Sequence, residues 1–514
     1  MADITTGSRA HRGSARESQM SDAGVRARLS LIGWAALFLA AVSVVALPAG
    51  WTAVALAGVA TVGLAADRRL GWLPAGLLVV IALPYGRGAD VTPWLVAGYP
   101  VRPPDLVIVL ALVGATVALV RDRARARERL AVSGAMAFVV AGGVLLLVGA
   151  AALVGGILGD FAMRDVLRDA RWWAFYAAAP LAVLSGTSRA SLARGLLLGA
   201  TALAIVAVAT AVGPVIEGGL KFSALTYDRG TLRMQFGNSI FLVPAVGYAT
   251  WALLRQPVRW RVGWLALLFS AQVLTLTRTS LLVTTVVVLL VGAAYVHRGR
   301  RRRNWSMRSW RASAAVALAL IVGFVGGIGV SRLGTPPTWT VAGSSSSSTP
   351  EDPFDRITFG DEQSDITVII GSVASGGRFA TYLNAMRVIS DAPWLGNGFG
   401  QLVNVRFAYN ESRAHTIGKQ PGVDNAYLTV ALKAGALGVA AIGALFLLPL
   451  VAAARRSRRW PRGWFVAGWL GILALTVTQS FAVGGYGPFG VALLAAFPFI
   501  GYARTRRSAA ISQR

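Results

Sequence analysis

Residues Leu281–Val330 read LLVTTVVVLLVGAAYVHRGRRRRNWSMRSWRASAAVALALIVGFVGGIGV. Two runs without a charge, Leu281–Val296 and Ala314–Val330, flank a connection that holds seven arginines between Arg298 and Arg311. A bilayer has a hydrocarbon core of about 30 Å, which asks for a helix of about 17–25 mainly apolar residues. Two such runs joined by an arginine-rich turn read as a pair of membrane-crossing helices with the turn held on the cytoplasmic side.

The pattern recurs on both sides of this stretch. The chain has 514 residues, 55% of them hydrophobic and only 14% charged, more apolar surface than soluble cores of this size can hide. About fourteen apolar cores follow one another, from Leu31–Leu47 to Gly487–Tyr502, and include Trp72–Leu83, Trp172–Leu184, Ile240–Leu254, Val262–Leu276, Tyr427–Ala452 and Gly463–Phe481. The expected fold is an all-α integral membrane protein, a polytopic bundle of about 12–14 transmembrane helices with one large extracytoplasmic loop. Its parts are a basic tail at 1–29, a bundle at 30–331, the loop at 332–425, further spans at 426–502 and a tail at 503–514.

The net charge of +28 is a feature of topology. With the first tail inside, alternate loops hold about 33 of the 50 basic residues and about 6 of the 22 acids, as the positive-inside rule requires. Both termini are therefore expected in the cytoplasm. The excess draws the protein to anionic lipid headgroups and is no footprint for nucleic acid. With no cysteine, neither disulfides nor thiolate chemistry is available. No repeat of fixed period stands out, which counts against a transporter built from two related halves.

The opposite face carries the candidate chemistry. It holds the tight turn near Thr277–Thr279, the loop Pro214–Phe236 and the segment Ser331–Asp424, far longer than a connection requires. Within that segment, Gly343–Pro353 is a serine-rich linker. Gly376–Ser390 then sets Phe379, Leu383, Met386 and Val388/Ile389 near one face at helical spacing, an interfacial amphipathic helix that Arg378 opens. Pro393 stops it, and Trp394-Leu-Gly-Asn-Gly-Phe-Gly400 follows.

A Gly-Arg before an amphipathic helix, then Pro-Trp-Leu-Gly-Asn-Gly-Phe-Gly, then Val-Asp-Asn-Ala-Tyr-Leu resembles the O-antigen ligase and polymerase family of membrane glycosyltransferases. In that family a His-Asn pair precedes Gly-x-x-Gly by nine residues; here Asp424-Asn425 precedes Gly435 and Gly438 by the same interval. Arg278 to Leu282 matches the family's upstream Arg-x-x-x-Leu. The resemblance implies transfer of a glycan from an undecaprenyl-diphosphate carrier to an acceptor hydroxyl on a glycan or lipid at the outer leaflet, with no cofactor, nucleotide sugar or metal. It assigns Arg278 and Arg378 to the departing diphosphate, a task that suits arginine's planar, permanently charged fork. Asp424 stands where the family's ligases have histidine and is the expected base for the acceptor hydroxyl. Asn425, Lys433, Gly435, Gly438 and His415, nine residues before Asp424, are the expected substrate-binding residues, with His415 also able to supply the missing imidazole.

Plainer roles stand beside these. Arg278 and Arg378 also read as interfacial helix-end arginines, Asp424 as the N-cap of the helix that starts at Asn425–Ala426, and Gly435 and Gly438 as packing glycines. Arg164-Asp-Val-Leu-Arg-Asp-Ala-Arg171 reads as a surface helix that neutralises its own charges. The alternative function is a polytopic exporter of a lipid-linked glycan, which needs ionisable groups within its spans, and Lys433 is the main one there.

Overall fold

The computed structural model describes residues 71–82, 94–96, 99–101, 103–212, 225–228, 231–234, 237–275, 278–301, 307–333, 373–407, 416–455, 462–479 and 486–500. The first two expected spans, the serine-rich linker and His415 lie outside the described residues.

The helices are α1 (Trp72–Ala82), α2 (Pro103–Arg121), α3 (Arg123–Leu130), α4 (Ala135–Leu158), α5 (Met163–Ala174), α6 (Ala178–Leu184), α7 (Arg189–Val212), α8 (Leu242–Arg255), α9 (Arg259–Leu274), α10 (Arg278–Arg301), α11 (Met307–Leu333), α12 (Val373–Asp391), α13 (Ala426–Arg455), α14 (Arg462–Thr478) and α15 (Gly487–Ala496). Among the described residues, α2, α4, α7, α10, α11 and α13 are long and apolar enough to cross a bilayer, and the chain is a multi-pass helical membrane protein. Along α4, α10 and α11 large apolar side chains such as Leu147, Leu158, Leu282, Leu289, Ile321 and Val325 stand exposed, a surface that only lipid can cover.

The shorter α1, α8 and α15 differ in kind. All three are almost wholly buried, and α1 and α15 are apolar on every side, so neighbouring helices rather than lipid surround them and bilayer thickness does not set their length. The expected span at Trp172–Leu184 is not one helix: α5 runs through a 3-10 turn at Phe175–Ala177 into α6. Close approaches set the packing. Gly195 and Gly199 of α7 lie on the backbone of α1 at Pro74 and Leu78, and Gly323 and Gly327 of α11 lie on α9, where Ser270 Oγ donates to Gly323 O at 2.9 Å.

These contacts fix the direction of each helix and give the bundle two chemically distinct ends. One end gathers arginines: Arg129 donates to Leu184 O, Arg189 reaches Phe497 O and Pro498 O at 3.0 and 2.6 Å, and Arg261 reaches Ala252 O at 2.6 Å. They satisfy helix-terminal carbonyls there. The other end holds three antiparallel hairpins that helical periodicity did not announce: β1–β2 (Trp94–Val96 with Tyr99–Val101), β3–β4 (Leu225–Asp228 with Thr231–Met234) and β5–β6 (Val403–Phe407 with Thr416–Gln420).

The membrane helix that matters most is broken. Gly435 interrupts α13 with φ 61 and ψ −162, a conformation open only to glycine, and a Cβ there would overlap the Trp394 carbonyl. In an unbroken helix the Ala436 and Leu437 amides would bond to Leu432 and Lys433. Instead they donate to Pro393 O and Trp394 O at 2.8 and 3.3 Å, while Leu432 O and Lys433 O accept from the Asn397 and Gly398 amides at 2.9 and 3.1 Å. The turn after α12 is thus spliced into the helix, and it remakes both halves of the two opened bonds.

Gly435→Ala is expected to cost about 3 kcal/mol or more, because it adds a forbidden backbone conformation to a backbone clash. Gly143→Ala, at a helical site with nothing within 4 Å of the new Cβ, should be neutral or slightly stabilising. Thermal unfolding of the two variants in detergent, against the wild type, checks the contrast; equal melting temperatures would contradict it.

Candidate functional site at the spliced end of the bundle

The splice holds the site elements together. The turn Pro393–Gly400 bends through left-handed glycines at 396, 398 and 400 (φ 72, 87 and 88), and Gly398 lies directly on the backbone of Gly155 and Gly156 in α4. The Phe399 amide donates to Ala152 O at 2.9 Å, and the Gly400 amide to Asp169 Oδ2 at 2.9 Å. The turn therefore serves as a tight connector whose amides from Gly396 to Gly400 all donate inside the protein.

Upstream, α12 starts earlier than the sequence suggested and ends at Asp391, before Pro393. Its packed face also differs. Ala385, with Tyr382, Val388 and Ile389 beside it, lies against Val403, Val423, Leu428 and Leu432, while Met386 stands 53% exposed. The helix is clamped on β5 and the start of α13 rather than left alone on a surface, and Ala385 lies at the centre of the packed face. Arg378 lies in its second turn, and its side chain, like those of Arg278 and Phe379, is outside the described residues.

Asp424 is exposed, in the connection just before α13, and Tyr382 Oη donates to its carbonyl at 3.2 Å. Tyr382 is one turn beyond Arg378, so the contact brings Arg378's part of α12 beside Asp424. The helix cap is Asn425, whose Oδ1 accepts the Leu428 amide at 3.1 Å. The capping role read for Asp424 belongs to its neighbour, and that accounts for the polarity of Asn425. Thr429 locks the same corner with Oγ1 bonds to Val423 N and O at 3.0 and 3.1 Å.

Arg278 is the first residue of α10. Two residues on, Ser280 Oγ accepts from Gln479 Nε2 at 3.3 Å, and Thr476 Oγ1 donates to Tyr427 Oη at 3.2 Å. The last turn of α14 thus ties the first turn of α10 to the first turn of α13. The three segments that carry Arg278, Arg378 and Asp424 meet at the end of the bundle opposite the arginine-rich end.

Lys433 lies two turns below this surface. Its ammonium is 2.7 Å from Asp169 Oδ2 in α5, with the two side chains only 4% and 5% exposed, and it also donates to Gln401 O. Arg168 reaches Asp165 at 2.6 Å and Asp169 at 3.4 Å, and Arg171 reaches Asp105 of α2 at 3.0 Å. The reading of α5 as a self-neutralising surface helix therefore needs correction: two of its charged residues pair with other helices inside the protein. A lone lysine in an apolar span, which cannot stay charged there without a carboxylate, was the signal that could have found Asp169. The pair lines a narrow, partly open cleft together with Trp172, Trp173, Tyr176, Phe399 and Thr429. Trp173 is fixed by a 2.6 Å bond to Leu145 O, and the Arg168 and Arg171 guanidinium groups lie 5.7 and 5.9 Å from the Trp172 ring. Gly435 forms the helix break, and a Cβ on Gly438 would press on Val430 Cγ1 at 3.1 Å; the structure gives both packing roles.

Residues 263–443 of the multi-pass bundle match the family model for O-antigen ligase. The match is roughly a third of the chain, and it runs from α9 past the break in α13, through every expected site residue. No curated protein matches the chain.

Asn425→Ala should cost about 1 kcal/mol through the lost cap, whereas Asp424→Ala should leave stability within about 0.5 kcal/mol of wild type. Chemical or thermal unfolding of the purified variants measures both, and the reverse order would return the cap to Asp424.

Proposed function

We propose that the protein is a membrane glycosyltransferase of the O-antigen ligase type. It moves a glycan from an undecaprenyl-diphosphate carrier to an acceptor hydroxyl at the outer face of the membrane. The observation that carries this reading is the convergence of the segments holding Arg278, Arg378 and Asp424 at one end of the bundle, inside the stretch that matches the O-antigen ligase model. That end is opposite the arginine-rich one, so the positive-inside rule turns it outward, with both termini in the cytoplasm.

In this reading the acceptor oxygen attacks the anomeric carbon of the donor sugar. The bond from that carbon to the diphosphate oxygen breaks, and its electron pair leaves with undecaprenyl diphosphate. Asp424 takes the hydroxyl proton and passes it to water. Asp424 is exposed, so a bulky glycan acceptor can reach it without the protein opening. Arg278 and Arg378, each near the end of a helix where lipid headgroups lie, meet the negative charge that grows on the diphosphate as the bond breaks. An exporter reading draws on Lys433 as an intramembrane charge, but that ammonium is committed to Asp169 and Gln401 and so serves the fold.

Asp424→Asn keeps the size and removes the base, so transfer should fall by about a hundred-fold or more while donor binding and stability stay near wild type. Arg278→Lys and Arg378→Lys should each lose about ten- to a hundred-fold, since a point charge replaces a fork. Turnover of a lipid-linked oligosaccharide by the purified variants gives the answer. Full activity in Asp424→Asn together with an inactive His415→Ala would move the base to His415.

A further inference from the structure

We infer that the buried Asp169–Lys433 ion pair is the positioning device of the transfer site: it fixes the glycine turn and, through that turn, the helix that carries Arg378. The inference rests on the transferase reading above. The pair grips the end of the turn at two backbone groups, the amide of Gly400 and the carbonyl of Gln401. Asp169 Oδ2 accepts the Gly400 amide at 2.9 Å and the Lys433 ammonium at 2.7 Å, while the same ammonium donates to the carbonyl of Gln401. From there the connection to α12 is direct. Asn397, in the same turn, bonds through Nδ2 to Val388 O at 2.8 Å, in the last turns of the helix on which Arg378 lies ten residues upstream.

Neither member of the pair is free to react. The two oxygens of Asp169 already receive the Lys433, Gly400 and Arg168 donors, so the carboxylate is engaged inside the protein rather than turned to an acceptor hydroxyl. A buried ion pair adds little net stability over apolar residues of the same volume, because desolvation offsets most of the attraction. What it supplies here is fixed geometry. It ties α5 to the half of α13 before the break and to the spliced turn, adding α5 to the backbone bonds that already join those two.

The test is amide hydrogen exchange on the full-length protein in nanodiscs, read together with steady-state transfer. Asp169→Asn and Lys433→Met preserve size and delete one charge each. Either variant should speed exchange of the 393–402 segment by about tenfold or more, with peptides from α8 and α14 unchanged, as expected for loss of a local contact. Each should also lower kcat by about tenfold or more with the donor KM within about twofold of wild type, the mark of a misplaced diphosphate grip rather than lost donor binding. Wild-type protection of 393–402 in both variants would overturn the inference. So would faster exchange spread evenly over the bundle, which makes the pair a general stabiliser, or local loosening with undiminished kcat. A wild-type protein that transfers nothing would refute the transferase reading instead, and the exchange arm would still decide whether the pair holds the turn.

Discussion

Backbone hydrogen bonding in a place without water is the constraint on which the rest of the structure depends. Within a bilayer every amide and carbonyl needs a protein partner, and each one left bare costs several kcal/mol. The break at Gly435 opens two helical bonds of α13, and the turn after α12 answers with two carbonyls and two amides of its own. A segment that enters from outside the bundle thereby becomes part of a membrane helix. Irregular backbone at this depth is tolerated because it is wrapped by protein, with Ala152 of α4 taking the next amide and Asp169 of α5 the one after.

Several features of the site end follow from that splice. The turn needs glycine where it lies against α4 and where it meets α13, which explains why Gly396, Gly398 and Gly400 alternate with Asn397 and Phe399. Asn397 and Phe399 do separate jobs: the first bonds back to α12, and the second packs 5.5 Å from Trp173 as part of the cleft wall. The glycines thus bind protein backbone where a phosphate cradle would leave its amides open. In the proposed reaction, charge for the diphosphate comes from side chains, a task for which arginine is equipped.

The sequence carried the bundle well because the positive-inside rule and hydropathy act on whole segments: α10, α11 and α13 lie close to Leu281–Val296, Ala314–Val330 and Tyr427–Ala452. It was less informative where tertiary contacts choose between similar options. Met386 and Ala385 are neighbours about 100° apart around α12, and only the presence of Val403 and Leu432 decides that the smaller one faces inward. Asp424 and Asn425 are both good caps, and the position of the first helical turn selects the second. The three hairpins are short, between three and five residues per strand, too few for a period-2 pattern to stand out from a loop. The Asp169–Lys433 pair spans more than 260 positions of sequence, and no local spacing rule reaches that far.

One measurement tests directly whether the spliced membrane helix serves the proposed outward-facing transfer. Purified protein in nanodiscs, given a synthetic undecaprenyl-diphosphate oligosaccharide and a pool of cell-envelope glycans as acceptors, should release free undecaprenyl diphosphate in step with the appearance of the oligosaccharide on acceptor. Recovery of the donor intact, whether left in place or moved across the membrane, would contradict it.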